Sequence, residues 1–314
     1  MDIAINTGAT LFEQNFSDFV IAVKNAGFDS LMLNIDSGSG GLDWDSLSKG
    51  IIPKDNYLYN QPSAIYNKLK PQLDIIYKNG LKISQAHAPC SAKLITSDEL
   101  ILFITEVYKN CIGFCQLAGI KHLIIHGFCK ENFDSTHTYE DIKNINMQMF
   151  TSLIPYLENT DVTVCLENIF YVKGKVAFNG ICADPYEANE YIDTLNSLCK
   201  DKKHFGLCLD IGHILVTRTE INHYLSIVGD RVVNTHIHDN DGVSDLHATP
   251  FAGYMNWDFI LKALIKHGYK GDLCLETYSY IEKLPKPLQV PFITFSAKTA
   301  NYFRDVLNGK ITLK

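Results

Sequence analysis

The residues best suited to chemistry lie between Thr235 and His247. This stretch reads Thr-His-Ile-His-Asp-Asn-Asp-Gly and ends in Asp-Leu-His, so it holds three histidines and three aspartates within thirteen residues. It follows residues 231–234, an apolar run that is typical of a buried strand. Imidazoles and carboxylates that crowd the end of a strand are explained more easily as metal ligands than as packing residues.

Most of the other predicted strands end in the same residue types. The candidate metal ligands at strand ends are His87, His126, Glu167, Asp210, His213, His236, Asp245, His247 and Glu276. Clustered carboxylates repel one another, and their pKa values rise unless divalent cations neutralise them and use them as ligands. The set therefore predicts a metal centre. His238 and Asp239 adjoin it, and one of them could serve only to position a ligand.

Each of these residues also has an ordinary structural explanation when it is taken alone. A single histidine at a strand end is more often a satisfied surface or core residue than a ligand. Asp210 and His213 are three residues apart at a strand-to-helix turn and could form a cap. Asp245 and His247 could be solvated loop residues. The occurrence of all nine residues at strand ends is what favours metal binding.

Short apolar strands alternate with amphipathic helices along the chain and would position these residues. Strands are predicted at residues 3–7, 30–35, 81–86, 122–125, 162–166, 205–209, 231–234 and 272–275. Helices are predicted at residues 16–26, 62–79, 97–118, 139–157, 220–228, 256–267 and 292–308, and another begins at Asp184 and Pro185. Eight such units predict one α/β domain over residues 1–314, a (β/α)₈ TIM barrel with its active face at the carboxyl ends of the strands.

A doubly wound open sheet is the alternative topology. It would normally carry a glycine-rich phosphate turn after the first strand, and residues 6–10 match that turn poorly.

Two connections are long, the one between the second strand and the second helix at residues 36–60 and the one at residues 169–183. The first is expected to be a lid or a flexible excursion. Trp44, Tyr57 and Phe128 could cover the apolar face of a sugar.

The composition limits the classes of partner and compartment. The formal net charge of −7 does not favour nucleic-acid binding, and no apolar run approaches the 18 residues expected of a membrane span. The nine cysteines contain no Cys-x-x-Cys pair, so we expect a reducing, cytoplasmic location without disulfides. The N-terminus leads directly into a strand, and no signal peptide is expected.

Several short motifs resemble those of the xylose-isomerase-like TIM barrels. They are His87-Ala88-Pro89, Leu166-Glu167-Asn168, Asp210-Ile211-Gly212-His213, His236-Ile237-His238-Asp239-Asn240-Asp241-Gly242, Asp245-Leu246-His247 and Glu276-Thr277. This superfamily includes sugar and sugar-phosphate isomerases and epimerases and the AP endonucleases of the endonuclease IV class. The resemblance covers most of the chain, and it implies a metal-dependent enzyme whose barrel often forms homo-oligomers.

The isomerase and epimerase branch implies a single divalent ion, often Mn²⁺. Carried over residue by residue, its ligands fall on Glu167, Asp210, His236 and Glu276. Glu167 and Glu276 would then be the catalytic residues, which move a proton on opposite faces of a small sugar-like substrate. His213, His238 and Arg218 are the candidates for binding substrate oxygens or a phosphate. This isomerase or epimerase is the leading functional hypothesis.

The endonuclease IV pattern is the first alternative and implies three zinc ions. His87, His126 and Glu167 would hold one, the four ligands named above a second, and His213, Asp245 and His247 a third. Cys90, Phe128 and Gly212 depart from the tyrosine, proline-glycine and cysteine motifs of that branch, so nucleic acid is not the expected substrate. The second alternative is a barrel that binds metal or ligand without turnover. One to three metals per chain, Mn or Zn, are expected overall.

Overall fold

Eight parallel strands close into a barrel in the computed structural model of the chain, which describes residues 1–8, 15–36, 40–90, 95, 97–134 and 136–313. In chain order the strands are β1 (Ile3–Asn6), β2 (Ser30–Asn34), β3 (Lys82–His87), β4 (His122–Ile125), β5 (Thr163–Glu167), β6 (Phe170–Lys173), β7 (Val176–Asn179), β8 (Phe205–Asp210), β9 (Val232–Ile237) and β10 (Asp272–Leu275). The barrel order is β1-β10-β9-β8-β5-β4-β3-β2, and β6 and β7 form a separate antiparallel pair. The predicted (β/α)₈ barrel is confirmed.

Helices follow the barrel strands and cover the outside of the barrel. They are α1 (Phe16–Ala26), α2 (Trp44–Ser48), α3 (Tyr57–Asn60), α4 (Pro62–Lys78), α5 (Asp98–Ala118), α6 (Tyr139–Leu157), α7 (Pro185–Leu198), α8 (Ile211–Val216), α9 (Ile221–Val228), α10 (Trp257–Lys266), α11 (Tyr278–Lys283) and α12 (Lys286–Leu307). Side-chain hydrogen bonds to the backbone determine where several of these helices begin. The Asp184 carboxylate accepts hydrogen bonds from the backbone N–H groups of Tyr186 and Glu187, so it caps α7 as the sequence predicts.

The two long connections and the last helix differ from the prediction. Residues 36–60 contain α2 and α3, and residues 169–183 contain the β6–β7 hairpin. Helices of four to six residues, including α8 and α11, are too short to show a helical period, which is why the sequence pattern missed them. Helix α12 begins at Lys286 rather than at residue 292, because Pro291 lies inside the helix instead of starting it.

Side chains alternate between the barrel interior and the helix layer. Ala4, Met32 and Cys274 form one interior cluster, and Ile124, Cys165 and Cys208 form another, while neighbours such as Ile5 and Leu33 join the outer core. The residue two positions further along each strand also faces inward. These residues make one polar layer at the carboxyl ends of the barrel strands: Asn6, Asn34, His87, His126, Glu167, Asp210, His236 and Glu276. We call it the ligand layer.

Helix α5 is the most apolar long helix of the described chain. By length and composition it could cross a membrane, but 61% of its apolar window is buried within the protein, as in a core helix. It packs beside α4 and α6, and Gly113 in its middle lies directly against Pro62 at the start of α4. A Cβ atom at position 113 would lie 2.4 Å from Pro62 Cγ. This close approach explains a glycine within a helix.

Replacing Gly113 with alanine should therefore destabilise the protein by about 1–3 kcal/mol, because the added methyl group overlaps the Pro62 ring. The overlap outweighs the gain of about 1 kcal/mol that alanine brings to an ordinary helical site. Denaturant unfolding measures the change. Leu117→Ala, at an exposed position of the same helix, serves as the control and should shift stability by about 0.5 kcal/mol or less. Unchanged or increased stability of Gly113→Ala would contradict this packing.

Candidate metal centre

Four residues of the ligand layer converge on one point inside the barrel. Ligand atoms of Glu167, Asp210, His236 and Glu276 all lie within 4.8 Å of one another, and all four residues are buried. His236 Nδ1 lies 3.3 Å from Glu167 Oε1, 3.4 Å from Glu276 Oε2 and 4.0 Å from Asp210 Oδ2. Three carboxylates thus face one imidazole from β5, β8 and the end of β10. We call these four residues the central group.

The central group fits a divalent cation. His236 is fully buried, and neither of its ring nitrogens has a hydrogen-bond partner in good geometry, since Nδ1 lies 3.3 Å or more from the carboxylate oxygens around it. A cation among these oxygens would give Nδ1 the close partner that it lacks. Carboxylate oxygens with one imidazole nitrogen suit Mn²⁺ and Zn²⁺, and the group contains no thiolate that would select a softer metal.

The charges in the group act strongly on one another. Burial by itself would raise the pKa of Glu167, but the imidazoles of His236 and His126 outweigh it and hold that pKa well below its ordinary value. Burial would lower the pKa of His236, whereas the carboxylates of Glu167 and Glu276 raise it to about 9. Glu167 is therefore ionised beside an imidazole that is protonated in the absence of a cation.

A second group adjoins the first at β3 and β4. His87 Nε2 lies 3.2 Å from His126 Nε2, and the Glu167 Oε2 atom lies 3.6 Å and 2.9 Å from these two nitrogens. His87 Nδ1 donates to the Ala88 carbonyl, which leaves Nε2 to face the site. Cys90 adds a thiol within ligand range of His87 and His126. The sequence did not predict Cys90 as a ligand, and this residue was noted only because it replaces the tyrosine of the endonuclease IV motif.

The third predicted group lies around Asp245, but its ligand atoms fall into two sets that share His238: His238, Asp245 and His247 form one, and Asp210, His213 and His238 form the other. His247 Nε2 lies 3.0 Å and His213 Nε2 lies 3.6 Å from Asp245 Oδ2. His238 Nε2 lies 3.6 Å from Asp245 and 3.1 Å from the Asp210 carboxylate, so it joins the third group to the central one. The sequence suggested His238 as a substrate contact. Its fully buried position among ligand residues suits a metal ligand or a ligand-positioning role instead.

Main-chain carbonyl groups fix the orientation of the third group. His213 Nδ1 donates to the Asn168 carbonyl at 2.8 Å, and His247 Nδ1 donates to the Glu276 carbonyl at 2.9 Å. Each imidazole therefore turns its Nε2 atom towards Asp245. Such hydrogen bonds set the tautomer and the ring direction of a metal ligand.

A cavity of about 320 Å³ lies beside the second and third groups. Its lining includes His126, His213 and Asp245 of these groups and Phe170 and Tyr171 of the β6–β7 hairpin. The Phe170 ring stands edge-on to His213, with 4.9 Å between the ring centres. The size suits a small molecule. The sequence missed this wall because the hairpin was expected to be a loop, although its aromatic residues are a signal for a strand.

The other suggested contacts fall outside the cavity. Arg218 is exposed beyond the end of α8, and within the described residues no hydrogen bond or ion pair joins its side chain to the site. Trp44 and Phe128 lie beside His126, around a small space next to the second group. The Tyr57 hydroxyl donates to the Ile35 carbonyl instead of facing the ligands.

Asp239 is a structural residue, although it lies among the ligands in sequence. Its fully buried carboxylate accepts hydrogen bonds from Trp257 Nε1 at 2.8 Å and from the backbone N–H groups of Asn240, Phe251 and Met255. These four donors tie the connection after β9 back to the strand end. The connection carries Asp245 and His247, so Asp239 holds the third group in place.

Comparison with known proteins agrees with this architecture. Residues 20–291 match the family model of the xylose isomerase-like TIM barrels. The fructoselysine 3-epimerase of Shigella flexneri is 26% identical over 157 residues, which are 50% of this chain and 51% of that protein. The chain matches about half the length of its curated relatives.

Two solved structures share the fold over nearly the whole chain. A D-tagatose 3-epimerase-like protein aligns with a TM-score of 0.70 at 17% identity and 99% coverage of both chains. The IOLI protein with a bound zinc atom aligns with a TM-score of 0.65 at 18% identity and 100% coverage of both. The chain therefore belongs to the xylose isomerase-like TIM barrel family, as its motifs indicated.

Asp239→Asn should lower the free energy of unfolding by about 2–4 kcal/mol, because an amide nitrogen replaces one carboxylate oxygen and leaves two of the four donors without an acceptor. It should also weaken metal binding at the third group while leaving the central group loaded. Denaturant unfolding and metal titration measure the two effects. Asp258→Asn, at an exposed position nearby, should change neither. Wild-type stability of Asp239→Asn would show that the four hydrogen bonds do not hold the connection.

Metal binding should release protons at pH 7, because His236 has a pKa of about 9 and His247 a pKa of about 10 in the metal-free chain. A ligating imidazole must be neutral, so metal affinity should rise as the pH is raised towards 9. The stability of the metal-free fold changes in the opposite direction with pH. The stabilisation from the raised pKa of His236 is complete below its ordinary value of 6.5 and is lost as the pH rises through about 9.

Calorimetric titration of the chelator-treated protein with Mn²⁺, in two buffers of different ionisation enthalpy, measures the released protons. The His223→Asn variant, altered at an exposed histidine, should release the same number. Equal heats in the two buffers would mean that no proton leaves and would contradict the raised pKa values.

Proposed function

We propose that the chain is a divalent-metal-dependent isomerase or epimerase of a small sugar or related carbonyl compound. One observation carries the proposal: Glu167 and Glu276 face the same space from different sides of the barrel. They lie on β5 and at the end of β10, which are three strands apart in the barrel order. Each has an oxygen within 3.4 Å of His236 Nδ1. Two carboxylates placed in this way can reach opposite faces of one carbon atom.

The residues of the central group have distinct tasks. Glu167, Asp210, His236 and Glu276 would hold the cation, which when bound would polarise a carbonyl and acidify the neighbouring C–H bond. Glu167 would accept the proton from that carbon as the general base. Glu276, after taking up a proton from solvent, would deliver it to the other face of the carbon, and Glu167 would pass its proton to solvent. The two roles would exchange in the reverse reaction.

The cavity and the comparisons support a sugar as substrate. Phe170 and Tyr171 offer apolar surface beside the polar groups of His213 and Asp245, a combination that suits a sugar. Relatives and structural neighbours include proteins named as a fructoselysine 3-epimerase and as D-tagatose 3-epimerase-like, and one neighbour holds zinc. His213 would bind a substrate oxygen, whereas Arg218 stands outside the cavity. A homo-oligomer and a cytoplasmic location remain predictions.

A phosphoesterase with several metal ions is the second candidate. The observation in its favour is that other groups of candidate ligands adjoin the central one, namely His87, Cys90 and His126 and two sets that share His238. Glu167 Oε2 also lies 2.9 Å from His126 Nε2. The described lining of the cavity includes Glu131 and Asp245 but no lysine or arginine, which disfavours a phosphodiester. Elemental analysis separates the two. About one metal per chain supports the isomerase, and about three zinc ions support the phosphoesterase.

Glu167→Gln and Glu276→Gln should each lower turnover by at least about a hundredfold, because an amide cannot exchange a proton with carbon. Deuterium incorporation from heavy water into a panel of ketoses, read by mass spectrometry, measures the proton transfer. Metal content is determined for each variant, so that loss of a ligand is distinguished from loss of the base.

The control is Glu190→Gln, which alters an exposed carboxylate paired with Lys143 and should leave exchange unchanged. Wild-type exchange in Glu276→Gln would overturn the assignment of the two glutamates. Absence of exchange from every ketose with the metal-loaded wild type would overturn the isomerase itself.

A further inference from the structure

Two members of the ligand layer are carboxamides, while the other six are imidazoles and carboxylates. Asn6 lies on β1 and Asn34 on β2, which are neighbours in the barrel. Ile5 pairs with Leu275, so Asn6 stands beside Glu276 in the next register position. Asn34 pairs directly with His87. The two amides thus fill the sector of the layer between the catalytic carboxylate on one side and the second ligand group on the other.

Three polar atoms of these two amides are buried without a protein partner. Asn6 is fully buried, and neither its Oδ1 nor its Nδ2 atom makes a hydrogen bond; Asn34 Oδ1 is buried and unpaired as well. Buried polar groups are nearly always paired, because an unpaired group loses its hydration without compensation. Three such atoms on two neighbouring strands, all in the layer that forms the site, point to a partner that binds there.

The fold does not depend on these amides. The junction of β1 and β2 is made by other groups, since the Thr7 N–H donates to the Met32 carbonyl and the Asn34 N–H donates to Thr7 Oγ1. Interior residues one layer below, Ala4 and Met32, are apolar. An apolar residue would therefore suit positions 6 and 34 if packing were the only requirement.

The chemistry of a carboxamide indicates the class of partner. Each amide offers donors and an acceptor without charge, which matches a hydroxyl group, itself both donor and acceptor. A phosphate would call for cationic side chains. Within the described part of the ligand layer and the cavity lining, no lysine or arginine is present.

We propose that Asn6 and Asn34 bind the hydroxyl groups of an uncharged polyhydroxy ketone and thereby decide which of its carbons faces Glu276. This inference rests on the proposed isomerase or epimerase function and names its substrate class, an unphosphorylated ketose. Because Asn6 stands beside Glu276, a sugar hydroxyl bound to Asn6 determines which carbon of the sugar lies next to the Glu276 carboxylate. The two residues are positioning residues and take no proton.

The test replaces each amide by a side chain of the same shape, in Asn6→Leu, Asn34→Leu and the double variant. In the metal-free protein the thermal midpoint should stay the same or rise, because an unpaired polar group is removed. With the ketose that wild type exchanges, kcat/KM should fall at least tenfold, mainly through KM, and deuterium should appear at additional carbons. Asn110→Leu is the matched control, since its buried amide donates to the Leu58 and Tyr59 carbonyls away from the site.

Asn110→Leu should lower the thermal midpoint while the folded protein keeps the wild-type KM and exchange position. If Asn6→Leu and Asn34→Leu behave in the same way, the amides are structural and the inference is overturned. If wild type exchanges a sugar phosphate in preference to every free ketose, the substrate class is overturned.

If wild type exchanges nothing, the proposed function fails but the inference is still decided by binding. Calorimetry with the Mn²⁺-loaded protein then compares xylitol with ribulose 5-phosphate. Binding of xylitol that weakens at least tenfold in the Leu variants supports the role of the amides. Equal xylitol binding in all variants, or none in wild type, overturns it.

Discussion

The repulsion among Glu167, Asp210 and Glu276 around His236 is the constraint on which the site depends. Parallel strands in register place one inward side chain from each strand in the same layer, so charges that are far apart in sequence are forced together. Water cannot screen them there, because all four residues are buried. The fold tolerates this crowding because the layers of apolar residues below and outside supply the stability, and a divalent cation would turn the repulsion into binding.

The groups at the strand ends also orient the candidate ligands through hydrogen bonds. The Asn168 side chain accepts from the Asp210 N–H at 2.7 Å and donates to the Asp210 carbonyl at 2.9 Å, which joins β5 to β8 directly beneath the site. The Asn168 carbonyl in turn receives His213 Nδ1. Such hydrogen bonds let the barrel itself hold the candidate ligands in place.

The parts outside the barrel strands decide what reaches the ligands. Structural neighbours at 17–18% identity share the barrel over the whole chain, so the fold alone does not choose a substrate. Here the β6–β7 hairpin brings Phe170 to the mouth of the site, and Asp239 fixes the connection that carries Asp245 and His247. The hairpin and this connection therefore shape the surroundings of the candidate ligands.

The sequence by itself determined the barrel and the residues at its active face. Alternation of apolar strands with helices is a local pattern, and a polar residue such as Glu167 at the end of an apolar run is visible without knowing its neighbours. Only the tertiary structure decided how the residues group. His238 joins the third group, Asp239 serves four donors, and Asn6 and Asn34 complete the layer without partners. Distances between strands and unmet hydrogen bonds depend on barrel closure, and no local pattern along the chain records them.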